Sequence, residues 1–167
     1  TVTGVQTCAL PIFEGQVVFC LYPHQTAFVV PAQSVHVVPP GVPAERAVLA
    51  ANAETALNIV WDAAPSPGDR IVVIGAGTVG CLAAWVMGQI PGCRVVLVDR
   101  NPLRAEVAEA LGVTFSTPAQ LQGAAAPGGI EPDGADVVVH VSGSPDGLVL
   151  ALRMAAFEAR VIEASWF

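Results

Sequence analysis

Positive charge is scarce in this chain. Lys and Arg together number 7 against 14 Asp and Glu, and residues of either charge make up only 13% of 167. The basic residues are scattered singly and the net charge is −7. With no basic patch, nucleic acid and anionic membrane surfaces are excluded as partners. Zinc motifs are missing too, since no C-x-x-C or H-x-x-x-H pair occurs. Cys20, Cys81 and Cys93 stand far apart in apolar runs, which reads as reduced, packed thiols of a cytoplasmic protein rather than a disulfide framework. Charge vanishes altogether from Ile71 to Ile90. A run of that length suggests a membrane span. Against this, Gly75, Gly77, Thr78 and Gly80 cluster in one turn, Gln89 sits near the end, and Pro91 follows. What remains, 53% hydrophobic, is the composition of one acidic globular domain.

The uncharged run is the part that organises the rest. Ile71 to Ile74 is a short apolar strand suited to burial on both faces, and Gly75, Gly77 and Gly80 follow it as G-x-G-x-x-G. Gly75 makes the tight turn, Gly77 lets a pyrophosphate approach the backbone, and Gly80 lets the next helix pack closely on its strand. That helix, from about Thr78, aims free N–H groups and its positive dipole end at the phosphates. A second strand, Val95 to Val98, ends on Asp99, nineteen residues after Gly80. A carboxylate there accepts hydrogen bonds from both adenosine ribose hydroxyls and repels the 2′-phosphate of NADP, which favours NAD. Arg100 beside it is suited to hold a phosphate bidentately, so NADP stays open.

From the start of the chain, Val2 to Ile12 (VTGVQTCALPI) lack periodicity and resemble a translated sequencing adapter. They are set aside together with Cys8, and the natural chain is expected to have been cut upstream of Phe13. QVVFC, TAFVVPA and SVHVV then read as the last strands of a β domain, too few to bury a core alone. His24 reads as a solvated loop residue and His36 as the outward side of an edge strand. Pro39, Pro40, Gly41 and Pro43 end the β pattern, with Pro43 suited to a first helical turn. Val48, Leu49, Asn52, Thr55, Ala56, Ile59 and Val60 recur at three and four, predicting one or two helices against one side of the nucleotide domain. Residues 13–42 are thus expected to be a domain remnant and 43–167 a dinucleotide-binding domain.

After Asp99, NPLRAEVAEALG predicts a helix with Pro102 near its start and Gly112 as its C-cap. Arg104 in the first turn either leans over the adenosine ribose or is simply solvated. VTF is a third strand, PAQLQGAAAPGGIEPDG a loop-rich connection, and Asp136 to Val141 a buried fourth strand. SGSPDG turns into a helix over Leu148 to Phe157, and RVIEA is a fifth strand. Alternating strands and helices imply right-handed crossovers and an α/β fold, a Rossmann doubly wound parallel sheet with five of its six strands. Val141, Ser142 and Gly143, at the carboxyl end of the fourth strand, sit where such sheets bind ligands. His140, one residue earlier, is expected to face a helix. The sequence stops at Ser165, Trp166 and Phe167 where a sixth strand is expected, so truncation is expected here too.

VPPGVPAERAVLA, PGDRIVVIGAGTVG, VVLVDRNPLRAEVAEALG and ADVVVHVSGSPDGLVLALR occur in the order and spacing of the medium-chain zinc-type alcohol dehydrogenases. The chain resembles that family from Gly15 to Phe167. FCLYPHQTAFVVPA and LAANAETALNIVWDA are most similar to the branch named for bacteriochlorophyllide dehydrogenase. The resemblance implies a GroES-like β catalytic domain, whose last strands are Val17 to Val38, before the Rossmann domain. Carried over, Gly75, Ala76, Gly77, Thr78, Val79 and Gly80 meet the pyrophosphate. Asp99, Arg100 and Arg104 lie at the adenosine ribose, Val141, Ser142 and Gly143 at the cofactor's inner edge, and Thr55 near the nicotinamide. The implied protein is a homo-oligomeric oxidoreductase moving hydride between an alcohol CH–OH group and NAD, with zinc polarising the oxygen of a small alcohol or carbonyl substrate.

Two departures stand out. The family's catalytic zinc ligand, Cys or Glu, falls on Ala50 or Ala51, neither of which binds metal; Glu54, a helical turn on, is a poor substitute because it is also displaced along the axis. No metal ligand and no catalytic residue can therefore be named in this chain. The family's glycine turn is replaced by Phe157 to Arg160 (FEAR), which implies a differently shaped turn or an error in the sequence. A zinc-free NADPH-dependent reductase and a non-catalytic nucleotide-binding module are the alternative readings.

Overall fold

The computed structural model describes residues 15–23, 25–123 and 127–165. The adapter-like segment with Cys8, His24, and the terminal Trp166 and Phe167 lie outside the described residues. The chain divides into two compact units, one ending at Ala51 and the other beginning at Asn52.

In the first unit, β1 (Val18–Phe19) pairs antiparallel with β2 (His36–Val37), with Val18 opposite Val37. Val18 and Val35 are buried and His36 is exposed as expected, but Val37 is exposed too, so the inside–outside alternation does not extend across β2. TAFVVPA does not form the expected strand. A bend at Thr26 and Ala27 leads instead to a 3-10 turn, Ala32–Ser34, and Val29 is 94% exposed. Pro31 has no N–H for a ladder, and Tyr22 stacks on Phe28 with ring centroids 4.8 Å apart, which curls the segment locally. A short helix α1 (Ala44–Ala47) starts directly after Pro43.

The second unit is entered along α2 (Ala50–Ala63), which buries Ala56, Ile59, Val60 and Ala63 at helical spacing. Val48, included in the expected stripe, is half exposed instead. Five parallel strands follow: β3 (Arg70–Ile74), β4 (Arg94–Val98), β5 (Thr114–Ser116), β6 (Ala135–His140) and β7 (Ala155–Glu163). Their order is β5-β4-β3-β6-β7. The chain moves outward one way from β3, then returns to its other side, leaving a switch point between β3 and β6.

Strand alternation builds two separate cores. Ile71, Val73, Val95, Leu97, Val137 and Val139 face one way and pack with α2, with α3 (Thr78–Gly88) and with Ala108 of α4 (Arg104–Ala110). Val72, Ile74, Val96, Val98 and Val138 face the other way. They meet Leu121 of α5 (Pro118–Leu121) and Leu150, Ala151 and Met154 of α6 (Pro145–Met154). Both faces are covered, which is why these strands read as unbroken apolar runs. Each buried aliphatic side chain contributes about 1.5–3 kcal/mol.

At the amino ends of β3 and β6, the Arg70 guanidinium grips Asp136 bidentately at 2.8 and 3.0 Å, and the Arg70 backbone N–H adds a third bond. These bonds hold the Asp136 carboxyl down to about 2, with burial opposing. Among the described residues no helix is long and apolar enough to cross a membrane. The uncharged run is a strand, a turn and an eleven-residue helix.

The expected helix over Leu148 to Phe157 is corrected. It runs from Pro145 to Met154, and Ala155 opens β7 at once. Pairing of Ala155 with Ala135 wins over the helix preference of AAF. The Phe157 to Arg160 stretch is neither helix nor turn but an irregularity inside β7, where Glu158 takes φ +61° and Phe157 is 95% exposed.

Candidate cofactor crevice

The three glycines of the turn after β3 differ in what holds them. Gly75 has φ +114°, and a Cβ there would lie 2.8 Å from the Val141 carbonyl. A Cβ on Gly80 would run into the Gly75 carbonyl oxygen, so the first turn of α3 sits directly on the end of β3. Gly77 is different: its φ of −76° suits any residue, and a Cβ there would meet nothing within 4 Å. Neither backbone nor packing demands glycine at 77. The open space lies at the N-terminus of α3, where first-turn N–H groups and the helix dipole favour an anion.

Asp99, at the end of β4, is half-buried and pinned to this turn. Its Oδ2 accepts from the Ala76 N–H at 2.8 Å and its Oδ1 from the Asn101 N–H at 2.8 Å. Each carboxylate oxygen keeps a further lone pair. Sequence reasoning placed Asp99 at the ribose; it missed that the same carboxylate braces the glycine turn. Arg100 and Arg104 are exposed beside it. Burial pushes the Cys81 thiol up, Arg104 opposes and Asp99 adds, so these three groups share one neighbourhood. The thiol itself donates to the Ala76 carbonyl at 3.5 Å.

The far wall is the segment after β6. The Val141 carbonyl and Ser142 Cα abut Gly75, and a Val141 methyl lies 3.0 Å from where a Gly80 Cβ would be. The Val141 N–H continues the sheet by donating to the Ile74 carbonyl at 2.9 Å. Gly143 takes φ +62° and donates its N–H to Ser165 Oγ at 3.2 Å. Gly75 to Gly80, Asp99, Val141 and Ser142 are thus brought together at the switch point. Thr55 is exposed on α2, and the contacts just named do not include it.

His140 is fully buried beneath this wall and faces α6, as expected from the sequence. Its Nε2 lies 2.7 Å from Ser142 Oγ and its Nδ1 2.6 Å from Glu163 Oε2. Burial pushes the Glu163 carboxyl up, but hydrogen bonds from His140 and Ser165 outweigh it and hold the group below the usual glutamate range. Glu163 and Ser165 had no sequence signal, whereas the two-residue spacing of His140 and Ser142 did put them on one face.

Ala50 and Ala51 open α2, and Glu54 is exposed on it. Among the described residues no three His, Cys, Asp or Glu side chains come together to hold a metal. A groove of about 270 Å³ lined by Arg94, Val95, Val113 and Thr114 lies at the opposite, amino ends of β4 and β5, away from the crevice.

A family model described as ketopantoate reductase PanE/ApbA matches residues 71–139, from β3 into β6. The chain is 29% identical over 139 residues to the 2-dehydro-3-deoxy-L-galactonate 5-dehydrogenase of Pseudoalteromonas atlantica, covering 83% of this chain and 40% of that one. Among solved structures, alcohol dehydrogenase TADH from Thermus sp. ATN1 superposes with TM-score 0.67 at 28% identity, over 80% of this chain and 40% of its own. A Sinorhizobium meliloti 1021 protein described as a zinc-binding dehydrogenase bound to NADP superposes with TM-score 0.70 at 20% identity, covering 80% and 40%. The chain therefore spans about two-fifths of the length of these relatives.

Proposed function

We propose that this chain, whose relatives and structural neighbours bear out its resemblance to the medium-chain zinc-type alcohol dehydrogenases, holds the nicotinamide dinucleotide of an alcohol or polyol oxidoreductase. The observation that carries the reading is Gly77. A residue that needs to be glycine for neither its backbone nor its neighbours leaves open a cradle that a Cβ would fill, at the positive end of a helix. A pyrophosphate fits that space and that charge. When bound, the dinucleotide accepts or returns a hydride from an alcohol carbon.

The chain's own residues bind and orient. The α3 N-terminus takes the pyrophosphate, Asp99 offers its remaining lone pairs to the adenosine ribose hydroxyls, and the Val141 to Gly143 segment bounds the crevice on the nicotinamide side. NAD is favoured, because the Asp99 carboxylate stands where a 2′-phosphate would bring negative charge. Substrate is a small alcohol or carbonyl compound. No metal-ligating set is present among the described residues, and none of these roles runs through zinc.

The second reading, an NADPH-dependent reductase, draws on the ketopantoate reductase match and on exposed Arg100 next to Asp99. Titrating the chain with NADH and NADPH, before and after Arg100→Ala, separates the two. The NAD reading expects tighter NADH binding that Arg100→Ala leaves in place. Tighter NADPH binding abolished by Arg100→Ala reverses the assignment, and no binding of either nucleotide removes both.

A further inference from the structure

We propose that Glu163 and His140 are positioning residues that turn the Ser142 hydroxyl inward, so that its oxygen lone pairs meet a hydrogen-bond donor on the nicotinamide half of the dinucleotide. The proposal rests on the nucleotide reading above. It starts from the carboxylate. Glu163 Oε1 accepts from the Ser165 N–H at 2.8 Å and Oε2 lies 2.6 Å from His140 Nδ1. An ionised carboxylate can only accept, so Nδ1 carries the proton. Ser165 agrees: its hydroxyl donates to the His140 carbonyl at 3.3 Å, which leaves its oxygen facing Nδ1 at 3.2 Å.

In the neutral ring that we propose here, a proton on Nδ1 leaves Nε2 as an acceptor, and that nitrogen lies 2.7 Å from Ser142 Oγ. Ser142 spends its single proton there. A Cβ on Gly147 of α6 would lie 2.5 Å from Nε2 and run into Ser142 Oγ, so the helix closes that side of the pair. Ser142 is an exposed residue, and its Cα abuts Gly75 at the switch point. With its proton given to Nε2, the hydroxyl has only lone pairs to offer a further partner. A phosphate, all acceptors, finds no partner there, whereas a ribose hydroxyl or the carboxamide NH₂ does.

Glu163→Gln reverses the polarity of the relay. A glutamine has one acceptor and one donor end. With its oxygen on the Ser165 N–H, its amide faces Nδ1, which strips Nδ1 of its proton, moves that proton to Nε2 and turns the Ser142 hydroxyl outward.

Long-range ¹H–¹⁵N NMR of the 167-residue chain reads the His140 tautomer directly, with His140→Asn identifying its signals. The expected result is the Nδ1–H tautomer at neutral pH, changing to Nε2–H in Glu163→Gln. An Nε2–H tautomer or an imidazolium in the wild type would overturn the proposal. Titrations with NADH, ADP-ribose and ADP supply the second readout. Glu163→Gln and Ser142→Ala should each weaken NADH binding by roughly 2- to 10-fold, the worth of one neutral hydrogen bond, and leave ADP unchanged. Ser142→Ala removes only a hydroxyl and keeps the comparison valid if Glu163→Gln folds poorly. ADP-ribose weakened alongside NADH identifies a ribose hydroxyl as the donor; ADP-ribose unaffected identifies the carboxamide. Equal weakening of ADP, or unchanged NADH binding, sinks the relay. Failure of the wild type to bind ADP at all removes the nucleotide reading, and this proposal with it, whatever the tautomer.

Discussion

Gly77→Ala and Gly80→Ala add the same methyl group three residues apart, and the structure expects opposite outcomes. At Gly80 the new Cβ collides with the Gly75 carbonyl oxygen, which is backbone and cannot rotate away. Helix α3 must lift off β3, and overpacking of this kind costs about 1–3 kcal/mol. The gain in helix preference, about 1 kcal/mol, offsets part of this. Thermal melts should fall by several degrees, since about 1 kcal/mol moves the melting temperature of a domain this size by about 2–8 °C. At Gly77 the backbone is already extended and the space around the Cβ is open. Stability should stay within about 0.5 kcal/mol or rise slightly through the stiffer unfolded chain. Nucleotide binding should suffer instead. A methyl in the cradle lifts the pyrophosphate off the first-turn N–H groups, and losing one charge-assisted hydrogen bond, worth about 1.5–3 kcal/mol, weakens ADP binding by roughly 10- to 150-fold. Differential scanning fluorimetry and ADP titration on the two variants settle it. Unimpaired ADP binding by Gly77→Ala would refute the assignment of that space to a pyrophosphate, and a large loss of its stability would refute the claim that the space is open.

Two further outcomes follow from the electrostatics. Asp136 titrates at about 2 in the folded chain against 3.8 for the free group, so the stabilisation is complete above about pH 4 and is lost as pH falls through 2. Both side chains are 35% exposed, and solvent screening reduces the effect to about 1 kcal/mol. Urea unfolding at pH 5 and pH 2.5 should show the wild type losing roughly two-thirds of that amount more than Asp136→Asn; parallel losses would dismiss the pair as a stabilising contact. The raised Cys81 thiol should alkylate slowly with iodoacetamide at pH 8, more slowly still in Arg104→Ala and faster in Asp99→Asn. The reverse order would place those two charges elsewhere.

The Rossmann half of the molecule is legible because its strands are buried on both faces and because Gly75 and Gly80 are sterically compelled. Ile71 to Ile74 and Val95 to Val98 read as buried parallel strands once G-x-G-x-x-G lies between them. The β-rich start was less legible. TAFVVPA has the composition of a strand, but composition does not register that Pro31 leaves a ladder gap or that Tyr22 and Phe28 stack within the segment. The end of α6 was misjudged for a related reason. Met154, Ala155, Ala156 and Phe157 all tolerate helix, and only pairing with Ala135 across the sheet, a contact far away in sequence, turns them into strand. In the crevice, Asp99 was placed by its spacing, whereas its bond to the Ala76 N–H was not. Glu163 was invisible because its partner depends on a register that no local pattern specifies.

That register is set by the irregularity at Phe157 and Glu158. Ala135 pairs with Ala155, yet two residues along β6, Val137 pairs with Arg160, so β7 accommodates three surplus residues before the ladder resumes with His140 opposite Glu163. Had the first pairing continued without the surplus, Arg160 would stand opposite His140. Closing that irregularity with the sequence unchanged would therefore put a base where the acid now stands beside the buried imidazole, without altering a residue in the crevice. Removing the three surplus residues themselves would instead leave Glu163 opposite His140, so the polarity of this interior site is governed by how β7 is paired and not by which residues it contains.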